Sequence, residues 1–240
     1  MWPEAALISS LILATTQLIP TTQACGPVPV SNSSYNPFEF PKSCDPRPGF
    51  TGYGINHFGL IVNDLNATID FYTQAIGLSL LFIFTPEGAP FFKIAYMGHN
   101  NDTANTGKPF ATCEEFTLQK NDIKGLIEFL YLDNATYTPR ASTKVTNTFS
   151  HIGLIVPNVT ETQEKMKKLK VPILKPLGEL PATSGPLANA FGLGKLSTGN
   201  FCEEQKEALV QGLIPSGTLQ HLMVTDPDGN VIEIQQLITE

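Results

Sequence analysis

Positive charge is scarce in this sequence. Its 240 residues include 15 lysines and arginines against 22 aspartates and glutamates, so the formal net charge is -7. The basic residues form no cluster with interleaved aromatics, which is the pattern that binds nucleic-acid backbones. The composition therefore argues against a nucleic-acid partner. The 42% of apolar residues is enough to bury a sizeable core.

Cysteine is also scarce, and no CxxC pair occurs among Cys25, Cys44, Cys113 and Cys202. Without zinc-type spacing, an even number of cysteines in an exported chain suggests two disulfide bonds. Three pairings are possible. Pairing Cys25 with Cys44 would tie down an N-terminal arm, and pairing Cys113 with Cys202 would connect two long loops. Free, buried thiols are the alternative.

The N-terminus lacks an apolar run long enough to span a membrane. Serine, threonine and glutamine interrupt the stretch 5–20, which ends in small and polar residues before Ala24. This pattern is typical of a signal peptide cleaved near Ala24, although no lysine or arginine precedes it. Five N-glycosylation sequons agree with export, and they begin at Asn32, Asn66, Asn101, Asn134 and Asn158. We therefore expect a secreted protein with no membrane contact after cleavage.

Alternating strand-like and helix-like runs indicate two successive modules. The first contains β-type runs at 55–62, 78–84, 91–97 and 126–132, and a helix that begins at Asp64 or Asn66 and ends before Gly77. The second contains strands at 151–156 and 171–175, a helix at 160–169, and a long insertion at 177–216 with a short helix at 203–210. The predicted organisation is a signal peptide (1–24), a Pro-rich arm (25–52), module 1 (53–133), a linker (134–150) and module 2 (151–240).

The two modules repeat each other in letters. His57-Phe-Gly-Leu-Ile-Val and His151-Ile-Gly-Leu-Ile-Val share five of six residues, and such self-similarity at one long period indicates a duplicated structural unit. Each module also ends in an apolar strand that contains one carboxylate, Glu128 in the first and Glu233 in the second. A glutamate is rarely left unpaired in such a strand because burying its charge is costly.

Two histidines and two glutamates at matching repeat positions form a candidate metal site. Imidazole nitrogens and carboxylate oxygens are suitable ligands for a divalent first-row transition metal such as Zn, Ni, Co, Fe or Mn. The predicted ligands are His57, Glu128, His151 and Glu233. For each residue alone, a satisfied core histidine or a half-buried strand glutamate is the alternative interpretation.

These motifs resemble the glyoxalase, bleomycin-resistance and dioxygenase superfamily, also called the vicinal-oxygen-chelate superfamily. The resemblance rests chiefly on the segments that open at His151 and at Asp226-Pro-Asp-Gly-Asn-Val-Ile-Glu233, and it covers about residues 53–238. It implies an α+β fold in which two βαβββ modules form a cupped mixed sheet around the metal. It also implies that Glu233 both binds the metal and moves a proton beside a metal-bound oxygen.

The sequence departs from glyoxalase I where that enzyme binds glutathione. Ile61 stands where glyoxalase I usually has an arginine, and Phe129-Leu130-Tyr131 follows Glu128 in place of the Leu-Thr-His-Asn pattern. The resemblance therefore favours lyase, isomerase or epimerase chemistry on a small oxygenated substrate without glutathione. A metal-free small-molecule binder of the bleomycin-resistance type and an extradiol dioxygenase are the alternatives. The oligomeric state is left open.

We expect expression in a secretory host to release a protein that begins near residue 25 and has glycans on several sequons. Intact mass before and after enzymatic deglycosylation measures both properties. A secreted chain that retains residues 1–20, or one that never leaves the cell, would contradict the signal-peptide interpretation.

Overall fold

The computed structural model describes residues 53–100, 112–133, 135, 138–145, 147–194 and 201–237. The predicted signal peptide and arm lie outside the described residues, as do the sequons at Asn32, Asn101 and Asn134. Of the two remaining sequon asparagines, Asn66 is exposed on the first helix. Among the described residues, no helix combines the length and apolar character needed to cross a bilayer.

Each half of the chain follows the predicted βαβββ order. The elements of the first half are β1 (His57–Val62), α1 (Leu65–Phe71), a π-helical turn (Tyr72–Ile76), β2 (Ser79–Phe84), β3 (Phe92–Gly98), α2 (Cys113–Leu118) and β4 (Leu126–Leu132). Those of the second half are β5 (His151–Val156), α3 (Val159–Lys168), β6 (Ile173–Lys175), α4 (Gly185–Ala190), α5 (Glu203–Gly212), two 3-10 turns (Ile214–Ser216 and Thr218–Gln220), β7 (Leu222–Thr225) and β8 (Val231–Gln236).

The strands form two four-stranded mixed sheets with the same topology. The first has the order β1-β4-β3-β2 and the second β5-β8-β7-β6. In both, the first strand of the module pairs in parallel with the last, and the other pairs are antiparallel. The predicted α+β class and duplicated modules are therefore confirmed.

The first helix of each half begins at a capping side chain. Asp64 caps α1 by accepting a hydrogen bond from the backbone N–H of Ala67 at 3.0 Å. Asn158 caps α3 in the same way, accepting from Glu161 N–H at 3.1 Å. The helix of the first half ends at Gly77, whose φ of 88° closes the π-helical turn.

One face of both sheets packs into a shared core. Leu60 and Val62 of β1 contact a cluster that includes the fully buried Phe129 of β4 and Ile232 and Ile234 of β8. Because side chains alternate across a strand, His57 and Gly59 of β1 then face away from this core. The histidine face of each sheet is thus opposite the face that joins the two halves.

Helix α2 was not predicted from the sequence. Thr112 caps it, its side-chain oxygen accepting from Glu115 N–H at 3.0 Å, and Phe116 is fully buried in a small cluster with Tyr96 and Leu126. Only one residue of this helix is buried, so its hydrophobic periodicity is too weak to indicate a helix.

The suggested pairing of Cys113 with Cys202 is wrong in this structure. Cys113 is an exposed free thiol at the start of α2, whereas Cys202 is disulfide-bonded. Because Cys113 is free, the disulfide partner of Cys202 is Cys25 or Cys44, and both of these lie outside the described residues.

The turn that joins β7 to β8 makes polar contacts with the first half. One carboxylate oxygen of Asp226 accepts backbone hydrogen bonds from Asp228, Gly229 and Asn230 at 2.8–3.0 Å. The other accepts from the Asn230 side chain at 2.8 Å and from the hydroxyl of Tyr72, in the first half, at 3.2 Å. Burial raises the pKa of Tyr72 well above its usual value, so its hydroxyl stays a neutral donor.

Segment 138–145 closes over the same turn. Thr143 donates to the backbone oxygen of Gly229 at 2.6 Å, and Lys144 donates to that of Asp228 at 2.7 Å. Gly229 has a φ of 97°, and a Cβ added there would approach the Thr143 hydroxyl to 2.8 Å. Asn63, at the end of β1, also donates to the Asp228 carboxylate. The turn therefore holds both halves and the segment between them.

Replacing Asp226 with alanine should lower the free energy of unfolding by about 2–4 kcal/mol, because several buried donors lose their acceptor together. Tyr72→Phe is the matched control, since it removes only the bond between halves and should cost about 1 kcal/mol. Urea denaturation measures both. Equal effects of the two substitutions would show that the turn contributes little beyond the tyrosine contact.

Candidate functional site

The predicted site residues of each half lie on the same sheet face in the same register. Glu128 is paired with Gly59 across β4 and β1, and Glu233 with Gly153 across β8 and β5. In both halves the glutamate is therefore offset by two residues from the histidine that begins the neighbouring strand. The sequence repeat therefore places a histidine and a glutamate at equivalent positions of the two sheets.

In the first half the two predicted residues are in contact. His57 Nε2 lies 3.6 Å from Glu128 Oε2, with 36% of the histidine side chain and 20% of the glutamate side chain exposed. Gly59 leaves room for the carboxylate, since a Cβ there would lie 3.4 Å from Glu128 Oε2. The pair is accessible from solvent yet partly shielded from it.

Tyr96 is a third member of this contact and was not predicted from the sequence. Its hydroxyl lies 3.3 Å from His57 Nε2, and it is paired with Glu128 across β3 and β4. Burial and the neighbouring Glu128 carboxylate raise the pKa of Tyr96. The ring stacks on Phe82 with centroids 5.2 Å apart, and Lys120 Nζ lies 5.4 Å from its centroid.

In the second half, His151 and Glu233 have different neighbours. The Nδ1 atom of His151 is 3.0 Å from the hydroxyl of Ser150, and its ring centroid is 5.5 Å from that of Phe191. Glu233 Oε1 instead accepts from the Gln235 amide at 2.5 Å and lies 3.8 Å from His221 Nδ1.

A buried lysine lies behind the Glu233 contact. Lys175 is only 1% exposed, and its Nζ donates to the backbone oxygens of His221 at 2.6 Å and Pro176 at 3.3 Å. Burial lowers the pKa of Lys175, while the charges of Glu179 and Glu233 act in the opposite direction.

The structure does not bring the four predicted ligands into one coordination shell. All four are described residues, and the described part of the chain contains no group of three or more histidine, cysteine, aspartate or glutamate side chains able to hold one metal ion. Of these four residues, His57 and Glu128 lie beside each other, whereas Glu233 lies beside His221. The four-residue site therefore stays a prediction.

A cleft lies between the two halves, away from these residues. It encloses about 730 Å³ and is lined mainly by apolar side chains, including Phe58 and Ile127 of the first half and Ile152, Leu154 and Ile232 of the second. Its polar lining residues include His99 and three residues of segment 119–124. None of the four predicted metal ligands lines it.

Sequence comparison identifies the family. The model of the Glyoxalase/Bleomycin resistance protein/Dioxygenase superfamily matches residues 54–192, more than half of the chain. This chain belongs to that superfamily. The superfamily includes metalloenzymes such as glyoxalases and dioxygenases as well as resistance proteins. No curated protein matches the chain.

Solved structures with a similar fold are distant relatives. A trypanothione-dependent glyoxalase I from Leishmania major is 17% identical, with a TM-score of 0.44 over 77% of this chain and 86% of its own. A glyoxalase I mutant from Zea mays is 16% identical, with a TM-score of 0.46 over 77% of this chain and 46% of its own. An antibiotic-binding protein from Streptomyces is 14% identical, with a TM-score of 0.38 over 78% and 97%. These similarities are too low to transfer a substrate.

Because the His/Glu contacts of the two halves are separate, we expect any Zn²⁺ binding to be weak and divided between them. In calorimetric titration, His57→Ala should remove only the part of the heat that belongs to the first half, and His151→Ala should leave that part unchanged. The control is His99→Ala, outside both contacts. A single tight ion that is lost with each of His57→Ala, Glu128→Gln, His151→Ala and Glu233→Gln would establish the four-ligand site instead.

Proposed function

We propose that this protein is an exported superfamily enzyme that transfers a proton on a small oxygenated molecule at the contact of His57, Glu128 and Tyr96. The contact itself supports the proposal: a histidine nitrogen, a carboxylate and a tyrosine hydroxyl meet within 3.3–3.6 Å on a solvent-accessible sheet face. These are the side chains that general acid–base catalysis uses. Secretion is the part of the proposal that rests on the sequence alone.

Each group has a distinct role in this chemistry. His57 Nε2 accepts a proton from the carbon next to a substrate carbonyl, and the resulting imidazolium is stabilised by the negative charge of Glu128. Tyr96, whose raised pKa keeps it protonated, donates a hydrogen bond to the substrate oxygen as negative charge develops there. Return of the proton from His57 to the same or a neighbouring carbon completes an isomerisation or epimerisation.

The sequence supports a second version of the proposal, in which the same proton transfer depends on a metal ion. In that version His57, Glu128, His151 and Glu233 would hold a divalent ion, whose positive charge would polarise a substrate oxygen. Glu233 would then be the residue that moves the proton. The two versions share the reaction class but differ in the proton carrier. Substitutions of His57 and Glu233 therefore distinguish them.

The apolar cleft favours a second candidate function, the binding of a small molecule without turnover. Its volume of about 730 Å³ is within the usual range for small-molecule sites. Such a protein would use Leu154 and its apolar neighbours, and the His57 contact would be structural.

In D₂O, we expect the wild-type protein to accelerate exchange of the hydrogens next to the carbonyl of dihydroxyacetone or 2-hydroxyacetophenone, followed by ¹H NMR. His57→Gln should reduce the rate by about 10²–10⁴-fold, because the positioned base is lost. Glu233→Gln should change it little, and His99→Gln serves as the control for surface histidines.

Two other outcomes would replace this mechanism. If Glu233→Gln abolishes exchange and added Zn²⁺ or Ni²⁺ restores it in metal-stripped wild type, the metal-dependent version is correct. The protein is a binder if neither ketone exchanges faster than in buffer and an apolar dye binds to the wild type. Binding of the dye should then be lost in Leu154→Glu and kept in His57→Gln.

A further inference from the structure

The residue before His57 has a fixed amide orientation. Asn56 Nδ2 lies 2.7 Å from the backbone oxygen of Lys120 and 2.6 Å from that of Ile123. Carbonyl oxygens only accept hydrogen bonds, so the nitrogen of this amide must face them. The amide oxygen of Asn56 then points at His57 Nδ1, 2.8 Å away.

This orientation determines the tautomer of His57. An amide oxygen cannot donate, so the 2.8 Å contact requires a hydrogen on Nδ1. A neutral imidazole has only one N–H, and Nε2 is therefore left with its lone pair. That lone pair is on the side of the Tyr96 hydroxyl and the Glu128 carboxylate.

We infer that Asn56 is a positioning residue that holds neutral His57 in the Nδ1–H tautomer and so presents Nε2 as the base. The inference rests on the proposed function only for what Nε2 does, since the tautomer itself follows from the hydrogen bonds. A hydrogen bond at one ring nitrogen of a histidine fixes both the orientation of the ring and its tautomer.

The second half provides an internal comparison. Ser150 occupies the repeat position of Asn56, and its hydroxyl lies 3.0 Å from His151 Nδ1. A hydroxyl can donate or accept, so this contact is compatible with either tautomer. The two modules thus place a polar side chain at the same atom, but only Asn56 imposes one state.

Asn56 also has a purely structural role, which the experiment has to separate from the tautomer. Its two donated bonds anchor the segment that leads from α2 to β4. Asn56→Asp keeps an acceptor for His57 Nδ1–H but loses both donors. Asn56→Ala loses the acceptor and the donors together.

The test is long-range ¹H–¹⁵N NMR of the imidazole rings in the intact secreted protein, at a pH where the rings are neutral. His57→Gln assigns the His57 signals, and the chain has only 4 histidines. We expect the Nδ1–H pattern for His57 in the wild type and in Asn56→Asp, and a loss of that preference in Asn56→Ala. Ser150→Ala should alter only the His151 signals.

The wild-type spectrum alone can overturn the inference, even if Asn56→Ala does not fold. An Nε2–H pattern for His57 would refute it, and so would an unchanged Nδ1–H pattern in folded Asn56→Ala. Equal loss of the pattern in Asn56→Asp and Asn56→Ala would show that loop anchoring, not the acceptor, is responsible. Because no substrate or metal is present, these results are independent of whether the proposed proton transfer occurs.

Discussion

The Asp226 carboxylate is the constraint on which the arrangement of the two halves depends. It closes the turn before β8 through backbone hydrogen bonds and also accepts from Tyr72 of the other half. Asp226 is only 3% exposed, and this burial raises its pKa despite the donors around it. The same turn therefore sets the start of the strand that contains Glu233 and the orientation of the first half against it.

Duplication has given the two halves the same backbone positions but different side-chain environments. His57 and Glu128 contact each other, with Tyr96 beside them, whereas Glu233 contacts His221 and Gln235. Strand register, which the repeat preserves, fixes where a side chain begins. Neighbouring side chains determine where its charged end goes, and these have diverged between the halves.

The sequence predicts the strands, the first helix of each module and the repeat positions well, because these follow local periodicity and capping residues such as Asp64 and Asn158. It does not reveal Tyr96 as part of the site, because that requires the antiparallel register of β3 with β4 across a long loop. The roles of Asn56 depend on backbone oxygens more than 60 residues away. The proximity of four ligands depends on how two modules pack, which no local pattern encodes.

A crystal structure of the secreted protein with acetohydroxamate, a small mimic of a deprotonated oxygenated substrate, tests the central claim most directly. We expect the hydroxamate oxygens to lie within hydrogen-bond distance of His57 Nε2 and the Tyr96 hydroxyl, beside Glu128. Hydroxamate bound only in the apolar cleft between the halves, or to an ion surrounded by ligands from both halves, would contradict it.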